Sequence, residues 1–128
     1  MSERSALGRV RGIGSAKEGV GDWWTQRLTS VALVVLGSWF VVSLLGLPDH
    51  DFATVAAWMR SWWRAPALIL FVLTGAWHSQ LGVRVIIEDY VHEIGAKTLA
   101  IGVASFAHIV IAAIGVVAVL RVALGGAA

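Results

Sequence analysis

Three long apolar stretches, separated by short segments rich in tryptophan and charge, divide the chain. The first begins around Trp23 to Thr29 and runs to Leu47; the second opens at Ala65-Pro66 and runs through Ile87; the third extends from Thr98 to Leu124. Each supplies about the 20 residues that a helix needs to cross a hydrocarbon core. The pattern predicts spans at about 25–47, 65–88 and 98–124. Pro48 ends the first helix, and Asp49-His50-Asp51 can cap a shorter one. Phe52, Val55, Met59 and Trp62 recur at i, i+3, i+7 and i+10 with Arg60 and Arg64 off that face, which describes a helix lying in the interface plane. Trp58, Trp62 and Trp63 read as its aromatic belt, and His50 as a solvated turn residue. The expected fold is an all-α membrane protein: three transmembrane helices with a short interfacial helix between the first and second.

Composition agrees. The 128 residues are 58% hydrophobic and 14% charged, a balance that polar surface cannot cover in a soluble domain of this size. The chain has no cysteine, which excludes iron–sulfur ligation, disulfides, covalent haem attachment and thiol catalysis by this chain. The net charge of +2 suggests an anionic leaflet or partner and not nucleic acid.

Residues 1–22 form a basic, glycine-rich tail ahead of a membrane domain over 23–128. Arg4, Arg9, Arg11 and Lys17 stand there against Glu3, Glu18 and Asp22, with no apolar core of a secretory signal. The tail reads as topogenic or as a docking arm for a soluble partner, and its acidic residues argue against a transit peptide. With Arg27, its basic residues outnumber Arg60 and Arg64 of the first loop, so the expected N-terminus is cytoplasmic. The loop holding Asp89 and Tyr90 then faces the cytoplasm as well.

Ionisable residues inside a span are costly and are functional candidates by default. His78 lies about nine residues, roughly 14 Å at helical rise, from the end of the second span. At 100° per residue Gly75 and Gly82 share its face, and Asp89 returns to within about 20° of it. Two glycines beside an imidazole leave a flat recess. Such a recess suits a porphyrin with His78 as axial ligand, and equally suits close helix packing with histidine as interhelical glue. Arg84 can pair with Glu88 at i+4. Tyr90 offers a phenol donor suited to a quinone carbonyl, with Asp89 and His92 as a proton supply, or else it is an interface-belt tyrosine. Arg27 either snorkels to lipid phosphate or meets an anion such as a haem propionate or Asp89, and Gln26 and Thr29 add polarity that a lipid-facing turn has no need of. His108 falls at nearly the depth of His78, placed either to share an iron with it or to hydrogen-bond a neighbouring helix or a haem edge.

Trp-Trp-x-Gln-Arg-x-Thr (Trp23 to Thr29) before the first span, and His78, Gly82, Asp89 and Tyr90 through the end of the second, resemble the hydrophobic membrane anchor family of succinate dehydrogenase, respiratory complex II. The Gly-Ser-Ala-Lys-x-Gly run (Gly14 to Gly19) is similar to its alphaproteobacterial branch. The resemblance covers nearly the whole chain. It implies a non-catalytic anchor of the bacterial inner membrane, paired with a second membrane anchor of the cytochrome b type, on which an iron–sulfur subunit and a flavoprotein subunit assemble. It implies that the two anchors share one haem b, with His78 as one axial ligand and Arg27 near the propionates. It further implies that Tyr90 contacts ubiquinone and that Asp89 serves the adjacent proton network. A haem-free structural anchor or helical assembly protein, and an anchor of a fumarate reductase, are the competing expectations.

Overall fold

In the computed structural model, which describes residues 19–125, the chain is all helical. Four helices follow in order: α1 (Gly19–Leu45), α2 (Phe52–Met59), α3 (Arg64–Tyr90) and α4 (Ile94–Ala123). Among the described residues α1, α3 and α4 are long and apolar enough to cross a membrane. The short α2 lies between the first two, as the pattern predicts.

The helix boundaries run past the apolar stretches at the aqueous end. Gly19 to Asp22, expected in the tail, form the first turn of α1, because intrahelical hydrogen bonding does not stop where the hydrocarbon does. Residues 1–18 of the basic tail lie outside the described residues. The last long helix starts at Ile94 and not at Thr98, since Glu93 caps it by accepting from the backbone N–H groups of Gly95 and Ala96. Those two bonds hold the Glu93 carboxyl below its ordinary value, Ala96 contributing most. Asp51 caps α2 as expected, accepting from Thr54 N–H at 2.7 Å. That bond holds its carboxyl low in the same way. His50 also caps: its Nε2 donates to the Leu44 carbonyl at 3.0 Å, satisfying an end group of α1 where a merely solvated ring was expected.

The central helix is α3. It packs against α1 on one side and α4 on the other, and α1 and α4 do not approach each other's backbone. On the α4 side a Cβ placed at Gly115 would stand 2.7 Å from Val72 Cγ1, so only glycine admits that approach. Gln80 donates to Ser105 across the same seam at 3.0 Å. The Lys97 ammonium closes the connection by donating to the Glu88 carbonyl at 3.0 Å.

At the far end from the α3–α4 connection, aromatic rings fill the angle between α1 and α2. Trp39 stacks on Trp58 with centroids 5.8 Å apart, and Phe40 touches both Trp58 and Phe71. The Arg64 guanidinium lies 5.4 Å from the Trp58 ring and 5.5 Å from that of Trp63. Trp58 is therefore a core residue, buried to 7% exposure, and not a belt residue. The expected face of α2 is corrected accordingly. Phe52 and Trp62 are exposed and Ala56 and Trp58 are buried, because the helix ends at Met59 and its contacts follow α1 and α4 and not the sequence period alone.

Most large apolar side chains of the three long helices remain exposed, Val34, Val42 and Phe106 among them. Water does not tolerate such a surface over three whole helices; lipid or other transmembrane helices do.

Candidate functional site

The aqueous half of the α1–α3 seam carries most of the polarity inside the bundle. α1 descends and α3 returns antiparallel, so that Asp22 faces Arg84, Gln26 faces Gly82 and His78, and Leu33 faces Gly75. The glycines set the spacing. A Cβ at Gly75 would lie 3.8 Å from Leu33, and one at Gly82 would lie 3.9 Å from the Gln26 carboxamide, so the flat strip beside His78 is the one on which α1 rests.

His78 is half-buried in this seam and meets α1 with both ring nitrogens. Nδ1 lies 2.9 Å from Thr29 Oγ1, and Nε2 lies 3.4 Å from Gln26 Nε2. The first distance is that of a well-formed hydrogen bond; the second is at the limit of one. Gln26 Oε1 is buried with no hydrogen-bond partner among the described residues, so the carboxamide is only weakly anchored there beside the imidazole. An interhelical hydrogen bond within a membrane contributes only about 0.6 kcal/mol on average. The chief effect of the contact with Thr29 is therefore to orient the ring.

Above this bridge a cleft of about 320 Å³ opens between the helices, lined by Asp22, Trp23, Gln26, Leu81, Arg84 and Glu88. Arg84 spans its mouth, bonded to Glu88 at 2.8 Å as the i+4 spacing predicts and to Asp22 at 3.3 Å across the seam. The pairing with Asp22 is a link the sequence does not announce. Arg27, weighed as a partner for Asp89, instead lies exposed with its guanidinium 5.3 Å from the Trp23 ring centroid, as a headgroup-level arginine does.

Asp89 and Tyr90 end α3. Tyr90 is 79% exposed, and among the described residues neither side chain makes a hydrogen bond or ion pair. They present a carboxylate and a phenol outward at the end of a rigid helix. His108 bonds within the chain: Nδ1 donates to the Ala104 carbonyl at 2.7 Å and Nε2 accepts from Ser79 at 3.1 Å. Its contact is with the neighbouring helix at the depth of His78, as the spacing from the shared loop predicts. Both nitrogens are spent there.

Among the described residues no group of three or more His, Asp or Glu side chains could hold a metal ion. An iron carried in a macrocycle asks less of a protein, namely one or two axial donors. His78 fits one such donor. Its Nδ1 lies at hydrogen-bond distance from Thr29, while the neighbour of Nε2 is the loosely held Gln26 amide.

Residues 1–119 match the family described as succinate dehydrogenase/fumarate reductase transmembrane subunit. The succinate dehydrogenase hydrophobic membrane anchor subunit of Paracoccus denitrificans is 36% identical over 121 residues, covering 91% of this chain and 89% of the relative. The protein of the same name from Rickettsia conorii is 30% identical over 89 residues, covering 69% of this chain and 71% of the relative. No solved structure matches the chain with significance. Three membrane-length helices and these alignments agree that the chain belongs to the succinate dehydrogenase/fumarate reductase transmembrane subunit family.

Proposed function

We propose that this anchor supplies one axial ligand, His78, to a haem b shared with a second membrane anchor of the cytochrome b type, and that its Asp89-Tyr90 end forms part of a ubiquinone site. The observation that carries the reading is the histidine itself, an imidazole inside a membrane helix with one nitrogen firmly committed and the other weakly held. Gln26 is the group that yields. With its carbonyl oxygen already unsatisfied, swinging the carboxamide away from Nε2 costs little. Gly75 and Gly82 put no Cβ of their own beside the ring, and the α1 side chains Leu33 and Gln26 lie against that strip. The partner axial ligand comes from the other anchor, because His108 is occupied at Ser79 and Ala104. The haem supplies a one-electron carrier within the membrane.

At the aqueous end, the exposed Tyr90 phenol donates a hydrogen bond to a quinone carbonyl. A phenol O–H is a donor of the kind that oxygen needs as negative charge builds on it. Asp89, one residue before it and open to water, accepts and passes protons. Arg27, held on Trp23 at the head of α1, presents a fixed positive charge toward propionates or the quinone mouth. Electrons arrive from an iron–sulfur subunit that sits on the side of the Asp89-Tyr90 loop, itself served by a flavoprotein subunit that oxidises succinate. On this reading the chain sits in a bacterial inner membrane with its N-terminus in the cytoplasm, in accord with its excess of Lys and Arg before the first span.

A reduced-minus-oxidised spectrum of the purified complex tests the ligand: a His78→Ala variant should lose or displace the b-type signal. Tyr90→Phe should lower quinone turnover about tenfold or more, with succinate oxidation by an artificial acceptor reporting that the complex is assembled. A specific observation supports a second reading, in which His78 only joins helices: both of its nitrogens face α1 of the same chain. An unaltered b-type signal in His78→Ala would select it. The anchor of a fumarate reductase is the same architecture with a lower-potential quinone, and the quinone content of the source membrane separates the two.

A further inference from the structure

We infer that Thr29 is the positioning residue of His78: by accepting a hydrogen bond from Nδ1–H it selects the tautomer that leaves Nε2 as the electron-donating nitrogen. The inference rests on the axial-ligand reading above.

Its basis is the direction of a chain of hydrogen bonds. Thr29 Oγ1 has the carbonyl oxygens of Thr25 and Gln26 at 2.8 and 3.1 Å. Both are acceptors only, so the single hydroxyl proton is committed to the backbone of α1. What remains on Oγ1 is lone pairs, and its third neighbour, His78 Nδ1 at 2.9 Å, must donate to them. A neutral imidazole carries one N–H, so Nε2 is left as an acceptor facing the Gln26 amide at 3.4 Å. The other tautomer would require Thr29 to abandon both carbonyls.

Neighbouring residues show that this is more than a hydroxyl folded back on its own helix. Thr25 and Ser30 also bond to carbonyls one turn behind, at 2.8 and 2.7 Å, yet neither meets an imidazole. Thr29 is 7% exposed and is the buried polar residue of the described bundle, so water does not compete for its lone pairs. An acceptor on the remote N–H of a ligating histidine fixes the ring and strengthens the donor nitrogen. A stronger donor favours the more oxidised iron, and removing the acceptor moves the potential upward.

The test uses the assembled complex with Thr29→Val, which keeps the β-branched shape, and Thr29→Ser, which keeps the hydroxyl. Redox titration of the b-type absorption and electron paramagnetic resonance of the oxidised complex are the readouts. Thr29→Val should shift the midpoint to more positive values and change the g values, or lose the signal, and Thr29→Ser should restore both. Wild-type potential and g values in Thr29→Val, or Val and Ser variants that behave alike, overturn the inference. Independently of the cofactor, ring ¹⁵N shifts of His78 in complex from haem-deficient cells should show Nδ1 protonated, and a mixture of tautomers in Thr29→Val. Protonation at Nε2 in the unsubstituted complex overturns it as well. If His78→Ala leaves the b-type signal unaltered, the ligand reading itself fails; if that signal is lost while Thr29→Val changes nothing, only the role of Thr29 fails.

Discussion

The two ends of the α1–α3 seam solve the same packing problem with opposite materials. At the far end Trp39, Phe40, Trp58 and Phe71 interlock ring on ring, and the one charge among them, Arg64, is stacked on Trp58 and Trp63 while donating to the Trp58 carbonyl at 3.2 Å. At the near end the contacts are Asp22 to Arg84, Gln26 to His78 and Thr29 to His78, with an unsatisfied carboxamide oxygen left inside. Offset aromatic pairs contribute about 0.5–1.5 kcal/mol each beyond their burial. Exposed ion pairs contribute about 0–1 kcal/mol and interhelical hydrogen bonds about 0.6 on average, the lower part of that range, and they bury no comparable apolar area. The far end therefore holds the helices together, and the near end is polar for another reason. A seam built only for stability would have repeated the aromatic solution at both ends.

The largest break in that comparison comes from the far end. Trp58→Ala removes the ring on which Trp39, Phe40 and Arg64 all rest, and a buried Trp→Ala change costs about 3–5 kcal/mol. Thermal inactivation of the purified complex should shift down clearly. A Trp58→Ala complex as stable as the parent would mean that the rings are not the fastening they look like.

A smaller effect is expected on the opposite face of α3. Gly115→Ala drives a methyl to within 2.7 Å of Val72 Cγ1, and overpacking of this kind costs about 1–3 kcal/mol. Adding Val72→Ala should return most of the loss, because the clash is with that side chain and not with backbone. Melting of the single and double variants checks it. Failure of the second change to rescue the first would show that α3 and α4 are held by something other than this contact. The result also isolates the α1 seam, since stability lost between α3 and α4 leaves the His78 bridge in place.

Much of this architecture is legible in the sequence because a membrane span announces itself by length and apolarity alone. The cap at Asp51, the Arg84–Glu88 pair and the depth shared by His78 and His108 follow from spacing in the same way. What spacing cannot fix is how one helix is rotated against another. That is why Trp58 reads as a belt residue yet is core, why Arg84 and not Arg27 reaches across to the opposite helix, and why α1 itself lies on the glycine strip of His78. The signal for the last was present: Gln26 and Thr29 are too polar for a turn that faces lipid, and they turn out to face the histidine. Tyr90 and Asp89 project outward with no partner among the described residues, so the packing of this chain alone does not say what meets them.

The smallest expected effect lies at the aqueous rim of the near end, where Glu93 starts α4. Its carboxylate accepts from Ala96 and Gly95 N–H groups, which holds its pKa below the ordinary value of 4.5. A group whose folded pKa is depressed contributes stability that is fully present above its unfolded value and disappears as pH falls through the folded one. The cap should therefore be intact at neutral pH and weaken only in acid, below about pH 4.5. Glu93→Gln should lower the melting temperature slightly at pH 7 and flatten the acid limb of the stability curve, with little difference from the parent once both are well below that limb. Because the side chain is exposed, the change should be small beside that of Trp58→Ala. A Glu93→Gln variant that matched Trp58→Ala in severity would reverse the ranking of the two ends and make the rim, not the rings, the fastening of the bundle.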